Sequence, residues 1–143
     1  MCREVIEKMI NKTAVLLIQD NIQNISLLTE KCLEAGISEK NIFSVNDADS
    51  AERYLEIAGI SYVIIDADLY NFVVASTINK FSEYFPIKTI ITNAKPEQKT
   101  LRMMTDKSLI FLNNIEELSE YLYSRSVHTN SYQYSELSNF QNV

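Results

Sequence analysis

The chain alternates short apolar runs with longer stretches in which apolar positions recur three and four residues apart. Ala14-Val15-Leu16-Leu17-Ile18, Tyr62-Val63-Ile64-Ile65 and Lys88-Thr89-Ile90-Ile91-Thr92 are the clearest runs, with shorter ones at Asn41–Val45 and Ser108–Leu112. Continuous rather than alternating apolarity predicts strands covered on both faces. Between the runs, Ile22, Ile25, Leu28, Cys32 and Leu33 predict one helical face, ended by Gly36. Asp49 with Glu52 reads as a capping box opening a helix with Ala51, Leu55 and Ala58 inward, stopped at Gly59. Ala75, Ile78, Phe81 and Phe85 predict the next helix, terminated by Pro86. Pro96 suits the first turn of a segment carrying Leu101 and Met104. Ile115, Leu118, Tyr121 and Leu122 give a last helix.

Sequential β/α units with right-handed crossovers build an open parallel sheet with helices on both sides, an α/β architecture over residues 13–125. Residues 1–12 suit a short amphipathic helix, an N-terminal extension with Val5, Ile6, Met9 and Ile10 on one side. Residues 126–143 are a polar tail rich in Ser, Asn, Tyr and Gln.

Composition narrows the field. At 143 residues with 46% apolar and 22% charged residues, the chain can bury a core of its own. Its net charge of −6, without a basic run, argues against nucleic acid. The apolar runs are far too short to cross a bilayer, so no membrane partner is expected. Arg3, Glu4, Glu7 and Lys8 deprive the N-terminus of a signal-peptide core. With only Cys2 and Cys32, a reduced, cytoplasmic setting is the simplest expectation. A nucleotide-binding enzyme would want a glycine-rich loop after the first strand, yet Gly36 and Gly59 are the only glycines. A hydrolase would want a usable histidine, and His128 lies in the tail. Residues 126–143 are also too short for a DNA-binding output domain.

In an open parallel sheet, ligands bind outside the carboxyl ends of the strands. Those ends read Gln19-Asp20-Asn21, Asp66-Ala67-Asp68, Thr92-Asn93 and Asn113-Asn114. With the first and third strands adjacent, Asp20, Asp66 and Asp68 converge and Thr92 stands close. Clustered carboxylates repel unless a cation lies among them, and Mg²⁺ takes one or two protein carboxylates and keeps its water. Plainer roles exist for each residue. Asp66 would serve as a helix cap, Asp68 as a solvated loop acid, Gln19 and Asn113 as polar strand ends, and Cys32 as core filler.

From Ala14 to Arg125 the chain resembles the receiver domain of bacterial response regulators, a CheY-like (flavodoxin-like) doubly wound fold. The resemblance implies a five-stranded parallel sheet in the order 2-1-3-4-5. It matches Asp66 to the phosphoacceptor, Asp20 to the second acid of the metal-binding pair, Asp68 to the residue whose backbone carbonyl meets Mg²⁺, and Thr92 to the fourth-strand hydroxyl. Three features depart from the pattern. Gln19 replaces the first acid. Phe111-Leu112-Asn113-Asn114 stands where the fifth-strand lysine belongs, with Phe111 out of register for the aromatic switch. Tyr70 replaces a loop proline, and the loop glycine is missing.

Loss of the lysine removes a charge-assisted hydrogen bond, roughly a ten- to hundredfold handicap in rate or occupancy. Gln19 weakens the Mg²⁺ site without abolishing it. The resemblance therefore implies a stand-alone, non-enzymatic receiver with a degenerate phosphorylation site. Its partners would be a sensor histidine kinase or phosphotransfer protein, and a second protein or second copy at residues 96–124, where Leu101, Met103, Met104, Tyr121 and Tyr123 stand. The alternative is a phosphorylation-independent pseudo-receiver acting as an adaptor or dimerisation module.

Overall fold

The computed structural model describes residues 13–97 and 109–123. The N-terminal extension, the segment bearing Leu101, Met103 and Met104, and the polar tail lie outside the described residues. In chain order the elements are β1 (Val15–Ile18), α1 (Ile22–Glu34), a 3₁₀ turn (Glu39–Asn41), β2 (Ile42–Val45), α2 (Ala48–Ile57), β3 (Tyr62–Asp66), α3 (Phe72–Ser82), β4 (Lys88–Thr92) and β5 (Leu109–Leu112). A helix over residues 117–123 follows.

The strands form one all-parallel sheet in the order β2-β1-β3-β4-β5. This is the doubly wound α/β layout expected from the sequence, in the same strand order. Central strands are apolar on both sides because both sides are covered. Leu16, Ile18, Val63, Ile65 and Ile91 pack with Ala51 and Leu55 of α2 and Val74 and Ile78 of α3. Val15, Leu17, Ile64 and Ile90 pack with Leu28 and Cys32 of α1 and with Leu118 and Leu122.

The helix starts share one device. Asn21 Oδ1 accepts hydrogen bonds from the N–H groups of Gln23 (2.8 Å) and Asn24 (3.1 Å), and Asn71 Oδ1 accepts from Val74 (3.0 Å). Asn114 Oδ1 accepts from Glu117 (3.1 Å). At α2 the expected Asp49–Glu52 box is not the cap. Asp47 takes that role, its Oδ1 accepting from Ser50 N–H at 2.7 Å. That bond holds the Asp47 carboxyl below its usual range. Glu52 turns outward to Lys80 of α3 (3.1 Å).

Both glycines end helices as expected, with positive φ of 95° at Gly36 and 61° at Gly59. The inward face of α1 differs from expectation at its edges. Leu28, Cys32 and Ala35 are buried, whereas Ile22 and Leu33 are exposed. Helix α3 ends at Ser82, before Phe85, which is exposed. The residue preceding a proline is pushed out of helical geometry, so Phe85 could not extend α3. Lys31 of α1 is nearly buried, and its ammonium lies 2.7 Å from Glu116, tying α1 to the turn after β5. The Glu116 hydrogen bond raises the Lys31 pKa.

Candidate functional site

The parallel register decides what meets at the carboxyl ends of the strands. Ile18 pairs with Ile65 across β1 and β3, and Asp66 pairs with Thr92 across β3 and β4. Asp66 therefore ends the central strand, with Gln19-Asp20 leaving β1 on one side and Thr92-Asn93 leaving β4 on the other. Asp20 is exposed, Asp66 half-buried and Asp68 exposed; Thr92 is 1% exposed.

Each oxygen of the Asp66 carboxylate has a donor. Oδ1 accepts from the Asp68 N–H at 2.9 Å, and Oδ2 accepts from the Asn93 side-chain amide at 2.8 Å. The Asp66 backbone carbonyl accepts from the N–H groups of Leu69 (3.0 Å) and Tyr70 (3.2 Å), rolling the chain into a turn. The helix-cap role weighed for Asp66 belongs to Asn71 instead. Asp66 organises the loop itself: an Asx turn on its own side, and a strut to the end of β4 on the other.

Asn93 is a residue whose part in this rim was not evident beforehand. It is the single non-glycine residue with positive φ (60°) among those described. The left-handed region is costly for most side chains but comparatively open to Asn. That backbone turn goes with the contact its amide makes to Asp66 rather than with continuation of β4. An Asn directly after a strand was the available signal. Tyr70, standing where the receiver pattern has proline, is buried against Ala67, Val74 and Ile78. An apolar anchor thus holds this loop.

Two buried polar atoms flank Asp66. Gln19 Nε2 and Thr92 Oγ1 have no hydrogen-bond partner among the described residues. Each therefore has hydrogen-bonding capacity that no described residue uses. Gln19 is 1% exposed. Its backbone N–H donates to Val45 of β2 at 2.9 Å, and it lines the groove beside that strand.

The three acids stand on two adjacent strand ends. Among the described residues, though, no three His, Cys, Asp or Glu side chains form a group able to hold a metal ion. Asp20, Asp66 and Asp68 are thus not a three-carboxylate nest. Mg²⁺ takes only one or two protein carboxylates, and the acids at these two strand ends are Asp20, Asp66 and Asp68. Asn113 follows β5, and Asn93 brings a neutral amide to Asp66. Cys32 is buried, and burial pushes its thiol up to about 12, so it has no nucleophilic role. No helix among the described residues is long and apolar enough to cross a membrane. Compared with protein-family models and with curated proteins, the sequence finds no match in either.

Proposed function

We propose that this chain is a receiver-type signalling module with a degenerate phosphoryl site, working through protein contacts rather than as an enzyme. One observation carries the reading. Asp66 ends the central strand of a 2-1-3-4-5 parallel sheet, between Gln19-Asp20 on β1 and Thr92 on β4. In that role an Asp66 oxygen attacks phosphorus in line while the donor group departs with its bonding electrons. The Asp68 N–H and Asn93 amide are already within hydrogen-bond reach of Asp66. As neutral donors they would stabilise equatorial charge less than a lysine ammonium does. Mg²⁺, when bound, supplies charge neutralisation, and Asp20, Asp66 and the Asp68 carbonyl are the groups to hold it. The phosphoryl source would be a sensor histidine kinase or a phosphotransfer protein in a cytoplasmic two-component pathway.

A second reading, the phosphorylation-independent adaptor, draws on the state of Asp66 itself. Each carboxylate oxygen already accepts one hydrogen bond that shapes the loop, so the conformation of Asp66 has a structural use that needs no phosphoryl group. Its partner or second copy would dock at residues 96–124, where Tyr123 is exposed. Incubation with acetyl phosphate and Mg²⁺, read by intact mass, separates the two. A phosphoryl adduct lost in Asp66→Asn supports the switch; an unmodified chain with association unchanged in Asp66→Asn supports the adaptor. Beryllofluoride with Mg²⁺, followed by backbone NMR, gives an independent check at Asp20, Asp66 and Thr92.

A further inference from the structure

A groove of about 630 Å³ opens beside the end of β2, the edge strand of the sheet, and reaches Gln19 at the end of β1 and Ile25 of α1. Its floor is Ser44 to Asn46, with Gln19 of β1 beside it, and its wall is the face of α2 that presents Ser50, Arg53, Tyr54 and Ile57. Three observations define what it would accept. First, its lining contains a guanidinium and no carboxylate, in a chain with 19 acidic and 13 basic residues. Second, Gln19 is buried to 1% exposure with its Nε2 donor unpartnered among the described residues, so the groove borders a buried donor that wants an acceptor. Third, the remaining wall is apolar. Ile25, Val45 and Ile57 line it, and Ile57 stands 79% exposed. Tyr54 is steadied against Phe43, with ring centroids 5.0 Å apart.

We infer that this groove binds a small organic carboxylate, with its anionic head at Arg53 and its apolar body along Val45, Tyr54 and Ile57. The volume is in the range of small-molecule sites. Guanidinium matches a carboxylate through paired N–H donors, and hydroxyl and amide donors complete the shell. Charge balance selects a monoanion over a phosphate dianion. Asp47 stands outside the lining, held by Ser50, and its charge is near enough to Arg53 for that guanidinium to lower its pKa. The inference does not depend on phosphorylation of Asp66.

Benzoate is a suitable probe, titrated into the full ¹⁵N-labelled chain and followed through backbone amides, with benzamide as its neutral isostere. The expected result is saturable shifts at Ser44–Asn46 and Ser50–Ile57 at millimolar benzoate. Benzamide should bind about tenfold or more weakly, the usual worth of one charge-assisted pair. Arg53 is exposed, so Arg53→Gln should fold normally and weaken benzoate by a similar about ten- to hundredfold factor. Asp47→Asn keeps a capping side chain while removing that nearby negative charge, and should tighten binding. Non-saturating shifts, equal binding of benzamide, or benzoate affinity unchanged in Arg53→Gln would each overturn the assignment.

Discussion

Polar groups at the carboxyl ends of β1, β3 and β4 are treated in opposite ways. On β3 the half-buried Asp66 has a donor on each carboxylate oxygen and two N–H groups on its carbonyl. On the flanking strands the buried Gln19 and Thr92 each keep an unmatched polar atom. Stability alone would favour the reverse, because solvent can satisfy an accessible carboxylate, whereas a buried hydroxyl or amide has only its neighbours. The contrast teaches that the central acid is used to shape its loop. The groups beside it, Gln19 and Thr92, are where a ligand or a moving side chain would find hydrogen-bonding capacity that no described residue uses.

That contrast can be sharpened by measuring what each group is worth. Ile65→Ala, one residue before Asp66 and fully buried, sets the scale of the interior. It should cost about 2–5 kcal/mol in urea unfolding. Thr92→Val keeps the shape and deletes the unmatched hydroxyl, so stability should rise by about 1–3 kcal/mol. A loss of stability there would show that the hydroxyl has a partner and break the comparison. Asn93→Ala forfeits both the amide contact and the residue type that tolerates φ of 60°, and should cost about 1–2 kcal/mol. Asn93→Gly should recover most of the backbone part. Asp66→Asn retains an acceptor for Asp68 N–H but opposes two amides at Asn93, for a loss of about 1 kcal/mol.

The smallest effect concerns Cys32, away from the rim. Its pKa, raised to about 12, lies above that of an unfolded chain's thiol, about 8.5. The native state thus binds the proton more tightly. The associated stability is complete below about pH 8.5 and fades as pH rises toward 12. In a Cys2→Ser chain, iodoacetamide at pH 8 should leave Cys32 unmodified until denaturant is added. Prompt alkylation of the folded chain would contradict this burial.

Much of the architecture was legible along the chain because its signals are local. The runs at Val15–Ile18, Tyr62–Asp66 and Lys88–Thr92 became strands within a residue of expectation, and Gly36 and Gly59 became the left-handed helix ends. The expectations that slipped depend on which of several similar residues wins. Asp47 and Asp49 both suit a cap, and the cap is Asp47, whose backbone is extended and whose Oδ1 accepts from Ser50. Ile22 and Leu33 match the periodicity of α1 yet are exposed, because periodicity marks a face and not which of its edge positions find a neighbour. At the rim, Asp66 and Thr92 were evident as strand-end residues. The bond from Asn93 to Asp66 was not, because it joins groups 27 positions apart.

From the sequence alone came the two-sided burial of the strands, the repeated β/α rhythm and the placement of acids after strands 1 and 3. Each follows from side-chain chemistry and spacing within a few residues. Only the tertiary structure decided that Asp66 is held by Asn93, that Gln19 and Thr92 are buried with unmatched atoms, and that Gln19 and Arg53 border one groove. These depend on strand order and register, which bring distant residues side by side, and hydrogen-bond satisfaction is settled only where those segments meet.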